Sequence, residues 1–100
     1  VSHVVYKYAC ASCNACYIGQ THVHYMTRVH EHLATDKASA VYKHVHDNPE
    51  CMNVTDNDSF SILDRADTKF KLRIKEAIHI NSCTPILNVQ KISYKLSLLI

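Results

Sequence analysis

Cysteines and histidines carry the clearest chemical signal in this sequence. Its 100 residues contain five cysteines and eight histidines but a single glycine. Cys10 and Cys13 enclose two residues, and His44 and Cys51 follow with six residues between them. A C-x2-C pair lets two thiolates reach one tetrahedral zinc ion, and a later histidine and cysteine complete the ligand set. Cys10, Cys13, His44 and Cys51 therefore predict a closed, structural zinc site with no open position for water.

Other ligand sets remain open at this stage. Cys16 could stand in for Cys13, and His46 for His44, or the thiols could be reduced side chains that only fill space. An odd number of cysteines excludes a fully paired disulfide framework within the chain, which weakens the hypothesis of a secreted disulfide domain. We interpret Cys83 as a small, buried apolar residue.

The composition indicates one globular domain. Apolar residues make up 47% of the chain and charged residues 20%, and the net charge is only +2, which does not by itself indicate a nucleic-acid-binding protein. The sequence begins at Val1, shows no secretory leader and contains no apolar run of membrane-spanning length. We therefore expect residues 1–100 to form a single domain excised from a longer chain.

The strands that must position these residues are short. Residues 3–8 alternate, with Val4, Tyr6 and Tyr8 on one face, which is typical of a half-buried strand. Residues 15–18 form a second short β run, and the connection between the two predicts an antiparallel hairpin. Residues 59–63 predict a third strand. Gly19 follows the second run, and we expect it to provide either a positive φ or a backbone that another group approaches closely, with a simple strand-to-helix turn as the alternative.

Capping residues and the spacing of apolar and polar residues predict three helices. Thr21 is expected to cap a helix running to about Leu33, with His24, Arg28 and His32 as its polar stripe. A second helix covers residues 39–46, residues 52–59 read as a loop, and a third helix runs from the Asp67–Thr68 cap to about Ile80. Its apolar stripe of Phe70, Ile74, Ala77 and Ile78 is expected to be buried. The order β-β-α-α-β-α predicts an α+β fold, a small three-stranded antiparallel sheet flanked by helices.

A family resemblance now follows from six positions. The chain contains Val4-Val5-Tyr6, Tyr17-Ile18-Gly19, Arg28 and His32 on one helix, Glu76 on a later one, and then Asn88. This order resembles the GIY-YIG endonuclease superfamily over about residues 3–90, with a degenerate first motif and an intact second one. The cysteine and histidine pattern is most similar to the nuclease module of Penelope-like retroelements, with Cys51 where a histidine is more usual.

The resemblance implies roles for the two tyrosines and the histidine. Tyr6 would be the general base and Tyr17 its helper. A free phenol titrates near pH 10, so Tyr6 needs help from its surroundings to act as a base at neutral pH. His32 titrates near neutrality, so on pKa grounds it is the alternative base, while the resemblance places it on the phosphate.

The resemblance also implies the remaining roles. Arg28 would bind the scissile phosphate with its forked donors, Glu76 would hold a catalytic Mg²⁺, and Asn88 would position neighbouring groups. Each of these residues has a plainer interpretation by itself: strand aromatics, a solvated helix arginine, or a glutamate paired with Arg73 or Lys75. Their shared order is what favours the catalytic interpretation.

DNA is the expected partner. The third helix carries four basic residues, which together with Arg28 would contact the DNA backbone without reading bases: Lys69, Lys71, Arg73 and Lys75. Lys91 and Lys95 lie beyond them. The resemblance thus implies a Mg²⁺-dependent DNA endonuclease. By resemblance to Penelope-like elements it would nick nuclear DNA, and the resulting 3′-hydroxyl would prime a reverse transcriptase domain of the same polypeptide. The alternative is a catalytically inactive, zinc-stabilised module that binds DNA or another partner.

Overall fold

A three-stranded antiparallel sheet forms the centre of the molecule. The computed structural model describes residues 3–88. Its strands are β1 (Val4–Ala9), β2 (Cys16–Thr21) and β3 (Phe60–Arg65), in the spatial order β2-β1-β3. The central strand β1 pairs antiparallel with both neighbours, and its register with β3 shifts between Val5 and Tyr6.

Helices of modest length cover this sheet. They are α1 (Tyr25–His30), which continues into a π-helical turn (Glu31–Thr35), then α2 (Ala40–Asp47), α3 (Pro49–Val54) and α4 (Lys69–Cys83). Two short 3₁₀ turns complete the described elements, Asn57–Ser59 and Ile86–Asn88. Within residues 3–88 no helix is both long and apolar enough to cross a membrane.

The α+β class and the three-stranded antiparallel sheet are confirmed. The prediction of a loop over residues 52–59 was wrong in its first part, because α3 extends to Val54. Pro49 occupies the first turn of α3, where its missing N–H costs nothing, so it starts a new helix after the one that ends at Asp47.

The first helix begins later than its sequence predicts. Thr21 is the last residue of β2, and the N-cap is His24, whose ring accepts a hydrogen bond from the backbone N–H of Met26. The prediction that Thr21 caps this helix was therefore wrong. At its other end the helix passes Leu33 through the π-helical turn, which closes with a hydrogen bond from the Asp36 N–H to the Glu31 carbonyl.

Apolar side chains fill both faces of the sheet. On one face Tyr6 and Tyr8 of β1 pack with Phe60 of β3 and with residues of the first three helices, Val29, Val41, Val45 and Cys51. On the other face Val5 and Ile18 pack against Leu72 and Ile80 of α4. Because β1 is central and covered on both sides, the expected half-buried alternation is replaced by near-continuous burial from Val4 to Tyr6.

Helix α4 turns the opposite face to the sheet from the one predicted. Phe70 is 73% exposed, and Ile74 and Ile78 are also exposed, whereas the buried residues are Leu72, Glu76 and Ile80. The predicted buried stripe was wrong, and so was the prediction that Cys83 is buried. Both stripes follow the same i, i+4 spacing, so apolar periodicity alone selected the wrong one.

Candidate functional site

Gly19 brings two tyrosine rings close to the backbone of β2. It pairs with Tyr6 across the β1–β2 ladder. A Cβ atom at this position would lie 2.7 Å from the Tyr6 hydroxyl oxygen and 2.8 Å from Cε2 of Tyr17, far inside ordinary contact distance. The φ of Gly19 is not positive, and β2 continues past it. Close approach, rather than a turn, is therefore the reason for a glycine here.

Tyr6, Tyr17 and His32 form a cluster of rings beside this glycine. The Tyr6 hydroxyl oxygen lies 2.6 Å from Nε2 of His32, and both side chains are buried. The ring centroids of Tyr6 and Tyr17 are 6.4 Å apart, and those of Tyr17 and His32 are 5.6 Å apart. Two strands and the π-helical turn thus deliver the two tyrosines and the histidine to one place.

The π-helical turn fixes the position of His32. A π turn inserts an extra residue into the helix and re-aims the side chains that follow it. His32 is fully buried, and its Nδ1 shares a hydrogen bond with Oγ of Ser39, the N-cap of α2. The same Oγ accepts a hydrogen bond from the backbone N–H of Tyr42 at 3.2 Å. Both ring nitrogens of His32 are therefore engaged by named side chains.

The surroundings of Tyr6 favour its neutral form. Burial raises the pKa of Tyr6 well above its ordinary value, and the negative charges of ionised Tyr17 and Glu76 act in the same direction. Arg28 opposes them, because its positive charge and its hydrogen bonding to the phenol lower the pKa of Tyr6. Burial and the two negative charges outweigh Arg28, so Tyr6 is a protonated phenol at neutral pH.

Arg28 lies beside this phenol and is held by two carboxylates. Its Nη1 donates to Oδ2 of Asp36 at 2.8 Å and to Oε1 of Glu31 at 3.0 Å. The hydrogen bond from Arg28 lowers the pKa of Asp36 below its usual range. Both carboxylates come from the π-helical turn or the residue after it, so the segment that carries His32 also orients Arg28.

Glu76 and Asn88 approach from the other side of the fold. Glu76 is 1% exposed and lies on the sheet-facing side of α4, near enough for its charge to act on Tyr6. Asn88 is fully buried, and its amide makes two 2.8 Å hydrogen bonds to the backbone of Ile18, accepting from the N–H and donating to the carbonyl. Asn88 thereby holds the segment between Tyr17 and Gly19 in place.

Six site residues were expected from the sequence, and the structure brings four of them into one polar cluster: Tyr6, Tyr17, Arg28 and His32. Glu76 lies on α4, near enough for its charge to act on Tyr6. Asn88 joins them through the backbone of Ile18. No protein-family model, curated protein or solved structure matches the chain. The geometry of the polar cluster is consequently the main support for any functional interpretation.

A second group of side chains has the donors of a metal site. The ligand atoms of Cys10, Cys13, His44 and Cys51 all lie within 4.8 Å of one another. Cys13 Sγ is 3.7 Å from Cys51 Sγ and 3.4 Å from His44 Nε2. In a zinc tetrahedron with Zn–S bonds of about 2.3 Å, sulfur ligands are about 3.8 Å apart. The group could therefore bind a metal ion such as zinc.

The connection between β1 and β2 presents two of these thiols. The Cys10 N–H donates to the Ala15 carbonyl, and Asn14 adopts a left-handed φ of 63° that closes the loop.

The two alternative ligands are engaged elsewhere. Cys16 lies in β2. Nδ1 of His46 is hydrogen-bonded to the Tyr42 carbonyl, and the His46 ring stacks on the Tyr42 ring with the two centroids 3.8 Å apart. Neither belongs to the cluster found in residues 3–88, which leaves Cys13 and His44 as the better choices.

The basic residues of α4 are partly paired within the chain. Lys71 forms an ion pair with Asp67 at 3.2 Å, and Lys75 forms one with Asp64 at the same distance. Lys69 and Arg73 are exposed. Lys91 and Lys95 lie outside the described residues. The charge that α4 presents to a DNA backbone is thus smaller than its sequence suggests.

Sequence reasoning missed the residues that support the polar cluster, above all Asp36 and Ser39. Ser39 could be recognised as the start of a helix, but nothing in the sequence indicates its contact with His32, seven residues earlier, because that contact depends on the π-helical turn. Asp36 reads as part of a polar loop, and its pairing with Arg28 across eight residues has no sequence signature.

Proposed function

We propose that this chain is a Mg²⁺-dependent endonuclease domain that nicks DNA. The observation that carries the proposal is the convergence of Tyr6, Tyr17, Arg28 and His32 near Gly19, with the buried carboxylate of Glu76 near enough for its charge to act on Tyr6. These groups come from two strands, the first helix, its π-helical turn and α4. A purely structural core has no need of two phenols, an imidazole, a guanidinium and a carboxylate in one place, since buried polar groups are costly unless each is satisfied.

Proton transfer in the proposed reaction uses the pair of Tyr6 and His32. A water molecule attacks the phosphorus and gives its proton to the Tyr6 oxygen, while Tyr6 passes its own proton to Nε2 of His32. The bond from phosphorus to the 3′-oxygen breaks, that oxygen takes a proton from a solvent water to become a 3′-hydroxyl, and the phosphate remains on the 5′ end. The proton held by His32 then returns to solvent. The relay removes the need for a free phenolate, which burial disfavours.

In this proposal Arg28 neutralises part of the phosphate charge, and Glu76 would hold the Mg²⁺ ion. The fixed fork of Arg28 donates to non-bridging oxygens, and its partners Asp36 and Glu31 hold the guanidinium in orientation. Glu76 offers one hard oxygen ligand, which fits Mg²⁺ because that ion keeps most of its waters and takes one or two carboxylates. A bound Mg²⁺ would supply neutralisation of phosphate charge and assistance to the leaving oxygen.

The Cys10, Cys13, His44 and Cys51 group is proposed to hold a structural zinc ion. Its four ligands leave no open coordination position for a reacting water. It links the β1–β2 connection to α2 and α3, on the face of the sheet where Tyr6 packs. A domain of this size has a limited apolar core, so such a cross-link would contribute to its folding.

The 3′-hydroxyl of the nick suggests the biological setting. By resemblance to Penelope-like elements, it would prime reverse transcription by a domain of the same polypeptide, acting on nuclear DNA. Backbone contacts would come from Arg28 with Lys69, Lys71, Arg73 and Lys75, of which Lys71 and Lys75 would first have to leave their ion pairs. Binding would be weak, salt-sensitive and largely independent of sequence.

A second candidate function is a zinc-stabilised binding module without catalytic activity. The observation that favours it is burial, because Tyr6, His32 and Glu76 are each at most 1% exposed. Groups so enclosed could serve as a satisfied polar core. In that case the chain would bind zinc and DNA but cut no phosphodiester bond.

A nicking assay separates the two functions. Supercoiled plasmid is incubated with the zinc-loaded chain and Mg²⁺, and nicked circles are counted for the wild type and for Glu76→Gln, which keeps the shape of the side chain and removes its charge. Glu50→Gln, on the exposed first turn of α3, is the matched control. We expect the wild type and Glu50→Gln to nick equally and Glu76→Gln to lose about a hundredfold or more.

The ends of the nick provide a further check. A nick with a 3′-hydroxyl is extended directly by a DNA polymerase, whereas a 3′-phosphate blocks extension. If the wild type nicks no faster than Glu76→Gln while both retain zinc and bind DNA, the enzymatic proposal is wrong and the binding module is favoured.

A further inference from the structure

Ser39 caps helix α2 and is also hydrogen-bonded to the ring of His32. Its Oγ accepts a hydrogen bond from the Tyr42 N–H, as expected of an N-cap, and also shares a hydrogen bond with Nδ1 of His32. Ser39, His32 and Tyr6 are each buried. They form one continuous line of hydrogen bonds, from the start of α2 through the π-helical turn to the centre of β1.

The direction of these hydrogen bonds follows from the donors and acceptors available. Arg28 has only donors and lies close enough to the Tyr6 phenol to affect its pKa, so it favours an arrangement in which the Tyr6 oxygen accepts on the Arg28 side. In that arrangement the Tyr6 O–H donates to Nε2 of His32, 2.6 Å away, and Nε2 is the unprotonated nitrogen. A neutral imidazole carries its proton on the other nitrogen, so Nδ1–H donates to Ser39 Oγ.

We propose that Ser39 is a positioning residue, which fixes His32 in the Nδ1-protonated tautomer, so that the unprotonated Nε2 accepts the proton of Tyr6. The placement of the tautomer depends only on the hydrogen bonds above. Its effect on catalysis rests on the proposed nuclease function. When the imidazole takes the Tyr6 proton, both ring nitrogens become donors, and Ser39 Oγ continues to accept from Nδ1–H without rearrangement.

The tautomer can be observed directly. In the ¹⁵N-labelled, zinc-loaded chain, long-range proton–nitrogen correlations distinguish a protonated ring nitrogen from a bare one, and loss of a signal set in His32→Gln assigns the His32 ring. We expect His32 of the wild type at neutral pH to be protonated at Nδ1 and bare at Nε2. A ring protonated at Nε2 alone would overturn the proposal, whatever the behaviour of any variant.

Variants at position 39 test the role of the hydroxyl. Ser39→Gly removes it at small cost to the cap, since glycine is tolerated at this position, and Ser39→Thr retains it. Thr68→Gly is the matched control, because Thr68 caps α4 in the same way, by accepting from the Lys71 N–H. Only Ser39→Gly should lose the fixed tautomer of His32 and slow plasmid nicking, by about tenfold.

Each remaining result has a defined meaning. If Ser39→Gly is folded and retains the Nδ1-protonated tautomer, or loses it without slowing nicking, Ser39 does not position His32 for catalysis. If Thr68→Gly slows nicking as much, the effect is one of helix capping. If the tautomer changes as expected while the wild type nicks no DNA, the hydrogen-bond assignment stands and the nuclease function alone is wrong.

Discussion

The hydroxyl of Tyr6 lies 2.6 Å from Nε2 of His32, and the two side chains are 1% and 0% exposed. A hydrogen bond enclosed in this way is strong when made and costly when half of it is removed, because the remaining group cannot turn to water. It joins the centre of β1 to the π-helical turn, and in the proposed reaction it is the path of the proton.

Tyr6→Phe keeps the ring and removes this hydroxyl. We expect it to lower the nicking rate by about a hundredfold or more, the range for loss of a positioned acid or base. It should also destabilise the fold by about 1–3 kcal/mol, because His32 loses a buried partner. Plasmid nicking and urea denaturation measure the two effects.

Tyr8→Phe is the matched control on the same strand. The Tyr8 hydroxyl lies 2.8 Å from Oγ1 of Thr55, outside the polar cluster. Its removal should cost a similar amount of stability, about 1 kcal/mol, and leave the nicking rate unchanged. Equal losses of nicking in the two variants would show that the Tyr6 hydroxyl acts only through stability.

Gly19→Ala should disturb the cluster without touching a polar group. The added methyl would fall 2.7 Å from the Tyr6 hydroxyl oxygen and 2.8 Å from the Tyr17 ring, and Tyr6 is held by the core on all sides. We expect a loss of about 1–3 kcal/mol in unfolding free energy, typical of overpacking, and a displaced pair of rings. Denaturation and ring-to-ring NOEs report the two effects, and Gln20→Ala, on the next residue of β2, should produce neither.

The sequence predicted those features that depend on short-range pattern. Alternation located the first strand and short β runs located the other two. The spacing of Cys10, Cys13, His44 and Cys51 located four side chains that could hold a metal ion, because ligand chemistry depends on few residue types. The isolation of Gly19 predicted either a positive φ or a close approach, with a simple turn as the alternative, and the structure shows the close approach.

Features that depend on tertiary packing could not be predicted in this way. On α4 the stripes Phe70, Ile74, Ile78 and Leu72, Glu76, Ile80 have equal spacing, and apolarity favours the first. The second is the stripe that packs against Val5 and Ile18 of the sheet, and it buries Glu76, a choice that no hydrophobic pattern contains. The π-helical turn is likewise invisible in the sequence, and with it the contact between His32 and Ser39.

Removal of zinc should unfold the region around Cys10, Cys13, His44 and Cys51. Cys51→Ser deletes a buried ligand and should abolish stoichiometric zinc binding in native mass spectrometry. We expect its free energy of unfolding to fall by about 3 kcal/mol, which corresponds to a fall in Tm of about 12–24 °C for a chain of this length. Chelation of the wild type should have a similar effect.

Cys83→Ser is the control for that substitution. Cys83 is exposed at the end of α4 and is not part of the metal-binding group. This variant should retain one zinc ion and the wild-type Tm. Wild-type protein that carries no zinc, or Cys51→Ser protein that keeps it with full stability, would contradict the proposed site.

The ion pair of Arg28 and Asp36 predicts a pH-dependent contribution to stability. The hydrogen bond from Arg28 lowers the pKa of Asp36 in the folded chain, relative to about 4 in the unfolded chain. Its contribution is therefore fully present above the unfolded pKa and is lost as the pH falls through the lower, folded value. Because both side chains are partly exposed, at 23% and 33%, we expect about 1 kcal/mol or less.

A double-mutant cycle isolates this pair from the other carboxylates. Urea denaturation is measured at pH 7 and at about pH 2 for the wild type, Asp36→Asn, Arg28→Gln and the double variant. The acidic value is chosen because the contribution falls as the pH drops from the unfolded pKa toward the lower, folded one. Asp36→Asn should destabilise the wild type at pH 7 and have a smaller effect at pH 2. In the Arg28→Gln background that pH-dependent difference should become smaller, because the group that lowers the Asp36 pKa most is gone. An undiminished difference would place the cause outside this ion pair, in the backbone hydrogen bond from Ala38 or the charge of His32.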